Sequence, residues 1–178
     1  MWVWLEPWLI GDRRFPAVCA GQQVRAALEF SPVDPQPTSL PEPALSHPGG
    51  SIAPFPLDPA RLADAQYRVQ GTVALEGNRQ GITAGGLFLK TDNNTLATGT
   101  PVDLIGPLSI AMDHAIGGRL WVVNQIVLHM APIMLLPGVS SRIPDYSRGE
   151  QHLVEQAYSA PPHDGFQQIY VLDLVAQD

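Results

Sequence analysis

The sequence has little cysteine, little lysine and little charge. Its single cysteine, Cys19, excludes an intrachain disulfide and a zinc site built from cysteines. The neighbours of Cys19 are small and uncharged, so we expect a buried, unreactive thiol. Charged residues make up 15% of the 178 residues, against about 25% in an average globular protein. The net charge of -7 argues against a protein that binds nucleic acid through its phosphates.

A long apolar run is also lacking. The most apolar stretch, residues 120–136, contains polar residues and a proline and reaches only about the minimum length of a membrane-spanning helix. The N-terminus lacks the basic region that opens a signal peptide. These observations predict a cytoplasmic protein without a membrane segment. Arginine greatly outnumbers lysine, whose single copy is Lys90, as in a GC-rich bacterial coding sequence.

Proline, in contrast, is abundant, and half of it lies in one segment. Nine of the 18 prolines fall between Pro32 and Pro59. Each proline fixes φ and removes an N–H donor, so the segment excludes a helix or a central strand. We predict that residues 31–60 form an irregular connector. It could be a flexible surface loop, a strip that wraps the protein's own surface, or a docking strip for an aromatic-lined partner.

Alternating apolar and polar residues outside this segment predict an all-β fold with little helix. The strands are predicted at residues 2–5, 23–30, 67–76, 86–90, 101–106, 119–129 and 168–175. Short helices are predicted near residues 58–65 and 148–158. Turn signals recur about every 10–15 residues, as in small barrels and sandwiches. At this length, one domain covering residues 1–178 is the default.

Residues 66–130 resemble an OB-fold barrel in the order of their predicted strands. A strand bent at Gly71, a hairpin, a strand ending in a polar loop, the strand at 101–106 and a final strand to His129 follow one another. The resemblance implies a small, partly open barrel, and a split barrel or a two-sheet sandwich is the alternative. OB barrels commonly bind single-stranded nucleic acid through aromatic and cationic side chains. The acidic charge and the few cations argue against that function here.

No motif typical of a catalytic or metal site is present. The five histidines lack the spacing of zinc ligands, and neither a G-x-S-x-G elbow nor a Walker loop occurs. We therefore predict no metal and no cofactor. Asp113 beside His114 is the one acid–base couple that we single out as a catalytic candidate, with Trp121 as a pocket residue.

Three tryptophans lie within the first eight residues. Trp2 and Trp4 share one face of the predicted strand, and Trp8 lies near that face if the chain stays extended past Pro7. If they are buried, they cap one end of the core. If they are exposed, they form an aromatic strip for a partner.

The primary hypothesis is a non-enzymatic cytoplasmic β module that binds a protein partner through Trp2, Trp4 and Trp8 or assembles with copies of itself. Low charge, the aromatic first strand and the proline-rich segment favour it. The first alternative is a small-molecule-binding or hydrolytic β-barrel that uses Asp113 and His114. The second is an OB-type binder of single-stranded nucleic acid.

Both ends of the sequence resemble a known group. The opening Trp2-Val3-Trp4-Leu5-Glu6-Pro7-Trp8, then Phe15-Pro16-Ala17-Val18 and Gly21-Gln22-Gln23-Val24, is similar to the start of a family of short uncharacterised actinobacterial proteins. Tyr170-Val171-Leu172-Asp173-Leu174 is similar to the family's final strand. The family pattern has paired cysteines and Glu-Asp where this chain has only Cys19 and Glu6-Pro7. The resemblance implies no activity, but it suggests that the two ends belong to one domain and pair as neighbouring strands.

Overall fold

The protein is almost entirely β. Its structure is a computed structural model that describes residues 1–33, 49–55, 61–62, 65–91, 96–113, 118–135, 142–159 and 165–177. This part of the chain contains fifteen strands and one five-residue α-helix, which confirms the all-β prediction with minor helix. The chain divides into two compact units, and the prediction of one domain stays a prediction. Unit 1 consists of Met1–Val24, Asp58–Asp64 and Trp121–Asp178, and unit 2 consists of Arg25–Leu57 and Ala65–Leu120.

Unit 1 contains an antiparallel sheet centred on two long strands. The longest strand, β11 (Arg119–Leu135), pairs with β15 (Phe166–Ala176). The other edge of β11 pairs with β13 (Glu150–Val154) and with β12 (Arg142–Pro144). The other edge of β15 pairs with β1 (Trp2–Leu5). Residues 169–172 of β15 are all buried, so both faces of the strand are covered, which explains their continuous apolar sequence.

We expected the first and the last strand of the chain to be neighbours. The pairing of β1 with β15 confirms this prediction. The Met1 ammonium donates to Oδ1 of Asp173 at 2.9 Å. Asn124, at a bulge of β11, donates its side-chain N–H to Oδ2 of Asp173 at 2.8 Å. Burial alone would raise the pKa of Asp173, but these two hydrogen bonds outweigh burial and lower it. Asp173 thus links β15 through polar contacts to Met1 and to Asn124 of β11.

Shorter elements complete unit 1. Helix α1 (Pro7–Gly11) directly follows β1, and β2 (Val18–Cys19) pairs with β14 (Gln156–Ala157). Cys19 is exposed, so the prediction of a buried thiol is wrong. It lies in a two-stranded pair beside the turn at Gln22, whose side chain accepts a hydrogen bond from the Cys19 N–H.

The predicted helix near residues 148–158 is wrong. A 3-10 turn at Tyr146–Arg148 leads instead into β13 and then β14. The backbone groups of β13 are satisfied by the edge of β11, a long-range partner that local sequence does not show. The other predicted helix, near residues 58–65, falls mostly outside the described residues.

Seven strands of unit 2 are described: β4 (Leu28–Phe30), β5 (Ser51–Phe55), β6 (Gln66–Glu76), β7 (Arg79–Ala84), β8 (Leu87–Lys90), β9 (Pro101–Gly106) and β10 (Leu108–Ile110). The strand β3 (Gln23–Ala26) has its first two residues in unit 1 and its last two in unit 2. Antiparallel pairs join β9 to β6, β6 to β7 and β7 to β8. A parallel pair joins β8 to β4, and β4 pairs with β10. Only Pro107 separates β9 from β10 in the chain. The described strands form a mixed sheet that is not closed into a barrel.

The predicted OB-like core over residues 66–130 differs from this arrangement in its last strand. The first three predicted strands of this region correspond to β6, β8 and β9, and no strand was predicted at β7. Residues 119–129, the predicted last strand, belong to β11 and pair with β15 instead. In unit 2, β8 pairs with β4, which precedes the proline-rich segment in the chain. The alternation of apolar and polar residues identifies a strand but not the strand it pairs with. The order of the strands along the chain therefore did not predict their pairing.

Part of the proline-rich segment is regular, so the prediction of an irregular connector is wrong for Ser51–Phe55. These residues form β5 and pair with the first half of β6. Pro54 is tolerated because β5 ends the series of paired strands, where a missing N–H costs little. Residues 34–48 and 56–60, on which most of the docking-strip hypothesis depends, lie outside the described residues.

Close packing in unit 2 requires a glycine in the middle of β6. A Cβ on Gly71 would overlap the carbonyl oxygen of Thr83 and crowd the side chain of Ile82, both on the neighbouring β7. The mid-strand glycine therefore marks a close approach of two backbones, which is one of the reasons for glycine in a strand.

Candidate functional site

A groove of about 340 Å3 lies in unit 1 beside helix α1. Its lining combines two aromatic rings, two carboxylates, a hydroxyl group and side-chain amides, supplied chiefly by Trp8, Phe166, Glu6, Asp12, Ser159 and Gln168. Concave surfaces with large apolar side chains and a few polar groups are typical of binding sites.

Helix α1 positions Trp8 and both carboxylates. Pro7 has the fixed φ that suits the first helical turn, so the chain leaves β1 and enters the helix there. Leu9 and Ile10 are buried and hold the helix against unit 1, whereas Trp8 is 44% exposed. Glu6 precedes the helix and Asp12 follows it, which places a carboxylate at each end of this single turn.

The remaining lining residues come from the second half of the chain. Phe166 is the first residue of β15, lies opposite Pro132 of β11 and is 41% exposed. Ser159 approaches the end of α1 so closely that a Cβ on Gly11 would lie 2.9 Å from the Ser159 hydroxyl oxygen. Glycine at position 11 thus permits the contact between these two sides of the groove.

The two carboxylates of the groove have no ionic partner in the described part of the chain. Neither Glu6 nor Asp12 forms a side-chain hydrogen bond or ion pair there. None of the described lining residues is cationic. Partial burial raises the pKa of Glu6, because a desolvated carboxylate is less stable than the neutral acid. The groove therefore has an acidic character.

An aromatic cluster in unit 1 is centred on Tyr146, the first residue of the 3-10 turn after β12. The ring of Tyr146 lies 5.9 Å from that of Trp4 and 5.7 Å from that of His129, measured between centroids. Burial raises the pKa of Tyr146, and the negative charge of Glu6 raises it further. Glu6 thus lies near enough to this cluster to affect it electrostatically.

The three tryptophans predicted to bind a partner do not form one strip. Val3 and Leu5 are fully buried, so Trp2 and Trp4 occupy the other, half-buried face of β1. Trp8 does not continue this face, because the chain becomes helical at Pro7 instead of staying extended. Of the three, Trp8 is the one that lines the groove.

The predicted acid–base couple lies in unit 2 and is described only in part, since His114 falls outside the described residues. The Asp113 carboxylate pairs with Arg79 at 2.6 Å, and its backbone carbonyl accepts a hydrogen bond from Lys90. Lys90 is 6% exposed, and burial is the main cause that lowers its pKa. Trp121, the predicted pocket residue, is buried in unit 1. The hydrolytic function stays a prediction, as does binding of nucleic acid.

Two further features are absent from the described ranges. These residues include no group of three or more histidines, cysteines, aspartates or glutamates arranged to hold a metal ion. None of their helices is long and apolar enough to cross a membrane. His47 and His163 lie outside these ranges.

Sequence reasoning found Trp8 but missed the rest of the groove. Pro7 directly after a polar residue is a helix-start signal, and Leu9 with Ile10 completes a single apolar face. That signal could have separated Trp8 from the strand. Phe166 and Ser159 had no such signal, because only the folding of β15 against β1 brings them to α1.

No protein-family model, curated protein or solved structure matches this chain.

Proposed function

We propose that this protein is a non-enzymatic binding module that holds a segment of a protein partner in the groove of unit 1. The observation that carries the proposal is that Trp8 and Phe166, both more than a third exposed, line the same concave surface. Large aromatic side chains that fill or flank a pocket supply most of the affinity at many protein interfaces.

The positions of the two rings support a binding role over a structural one. Trp8 lies on a helix whose buried face is already provided by Leu9 and Ile10, so the fold does not require an indole there. Phe166 begins a strand whose core residues start only at Ile169. Both rings thus expose apolar area that a partner could bury, and burial of apolar surface drives association.

The proposal is tested with peptides selected from a random phage library on the purified chain. Titration calorimetry would then compare their affinity for the wild type, Trp8→Ala and Phe166→Ala. We expect each substitution to weaken binding by about tenfold or more, the effect of losing about 1.4 kcal/mol of contact energy. Phe55→Ala is the matched control, since Phe55 is 40% exposed but belongs to unit 2.

Four outcomes would change this proposal. Selected peptides that bind Trp8→Ala as tightly as the wild type would place binding elsewhere, and a library without binders would remove the support for a peptide ligand. A glycan array signal that disappears in Trp8→Ala would identify a sugar as the ligand instead. If the wild type forms dimers in sedimentation velocity and Trp8→Ala does not, the partner is a second copy of the chain.

A further inference from the structure

We infer that the groove of unit 1 selects a partner segment through a positively charged side chain, a lysine or an arginine. The inference rests on the proposed function and adds the chemistry of the ligand. It commits to one occupant, a cationic side chain of another protein, because the charge of the groove is of one sign.

The first argument is charge complementarity. Glu6 and Asp12 are the charged residues among the described lining residues, and both are acidic. Neither has a hydrogen bond or an ion pair to its carboxylate in the described part of the chain. Carboxylates that lack an internal partner are available to an external cation, and charge-assisted hydrogen bonds are stronger than neutral ones.

The second argument is desolvation. Glu6 is partly buried, and this burial disfavours its charged form in the free protein. A cation placed beside Glu6 would compensate for the lost hydration, and its attraction is greater than at a fully wet surface. The groove therefore gains more from a positive ligand than two exposed carboxylates would.

The third argument is the shape of a lysine or arginine side chain. Such a chain has an apolar stem and a charged end, so it buries its methylene groups against apolar surface while the charge meets an acid. Trp8 and Phe166 offer that apolar surface, and an aromatic face also attracts a cation directly. The volume of about 340 Å3 lies at the small end of the range for ligand sites, as suits one side chain.

The test uses two small probes of similar shape, the positively charged N-acetyl-arginine amide and the neutral N-acetyl-citrulline amide. Binding is followed through the indole N–H signal of Trp8 in NMR spectra of the whole chain. We expect the arginine probe to shift this signal with a dissociation constant at least about tenfold lower than that of the citrulline probe. Equal shifts by the two probes would overturn the inference.

Variants of the acids locate the effect. Glu6→Gln and Asp12→Asn should each reduce the preference for arginine severalfold, and the double variant should abolish it. Glu155→Gln is the control, because Glu155 is an exposed carboxylate of the same unit that does not line the groove. If the preference survives in the double variant, the cation is bound elsewhere and the inference is wrong.

The two proposals fail in different ways. If library peptides bind at Trp8 but keep their affinity when each arginine becomes citrulline and each lysine becomes norleucine, the groove binds a protein without reading charge. The cation inference then falls while the proposed function stands. If the arginine probe binds at Trp8 but no library peptide does, the groove recognises the cation and the protein partner is overturned.

Discussion

Two carboxylate sites, Asp103 in unit 2 and the groove of unit 1, have opposite surroundings. In unit 2, Asp103 accepts hydrogen bonds from Arg68 and Gln70, at 2.7 Å and 2.9 Å for the Nε and Nε2 donors. In the groove of unit 1, Glu6 and Asp12 have no comparable bond to the described residues. A paired carboxylate stabilises a fold, whereas a desolvated carboxylate without a cation weakens it. Perturbed and uncompensated groups are characteristic of functional sites, which points to the groove and not to Asp103.

The largest expected effect concerns the backbone of unit 2. Gly71→Ala should lower the free energy of unfolding by about 3 kcal/mol, because the added Cβ meets the carbonyl oxygen of Thr83 and neither strand can yield. Gly11→Ala in unit 1 should cost about 1 kcal/mol or less, since its Cβ meets only the rotatable hydroxyl of Ser159. Urea denaturation of both variants measures the difference. Equal losses would show that the groove is packed as rigidly as the strands of unit 2.

The next effect concerns the paired carboxylate of unit 2. Asp103→Asn should reduce the free energy of unfolding by about 2 kcal/mol at pH 7, because Asp103 is nearly buried and receives charged hydrogen bonds. Asp12→Asn in unit 1 should cost nothing at the same pH. A large loss for Asp12→Asn would mean that the groove acids are structural after all.

The effect of Asp103→Asn should also depend on pH. The hydrogen bond from Arg68 is the main reason why the pKa of Asp103 lies below its usual range in the folded protein. The hydrogen bond from Gln70 lowers this pKa further. The unfolded chain therefore takes up a proton first as the pH falls through about 4. The stabilisation from Asp103 is complete above that pH and is lost as the pH falls through the folded-state pKa. Urea denaturation between pH 7 and pH 3 should show the wild type and the variant converging in acid.

The smallest expected effect has the opposite sign and belongs to unit 1. Burial raises the pKa of Glu6 in the folded protein, so its charged form weakens the fold as the pH rises through that pKa. Glu6→Gln should therefore raise the Tm at pH 7 by about 1–2 °C, as a gain of about 0.5 kcal/mol would. The gain should disappear below about pH 4, where Glu6 is protonated in both states. Glu155→Gln should change neither value, and a loss of stability in Glu6→Gln would contradict the desolvation argument.

The sequence predicted the positions of the strands better than the strands with which they pair. β9 was expected at the residues where it lies, and β6 and β15 were expected to within two residues at each end, because period-two alternation is a local signal. The partners of β4 and β11 were not predicted, since pairing depends on distant residues. One long-range pair, β1 with β15, was anticipated from the resemblance of the two ends.

The candidate site could be predicted only in part, for a similar reason. Trp8 was singled out by its residue type, but its direction depends on Pro7, which both ends a strand and opens a helix. Glu6 and Asp12 looked like ordinary surface acids, because nothing local shows that Phe166 and Ser159 lie beside them. A groove assembled from two distant segments leaves no spacing pattern in the sequence.

The pairing of β1 with β15 also sets an order of events during synthesis. Residues 25–120 contain every described strand that lies wholly in unit 2, so all of these strands leave the ribosome before β15. Val3 and Leu5 of β1 must wait for residues 170–173, which follow roughly 50 residues later. At about 5–20 residues per second this interval lasts roughly 3–10 s. For those seconds the first strand lacks its pairing with β15, at the stage when a nascent chain is most open to chaperones and to misassembly.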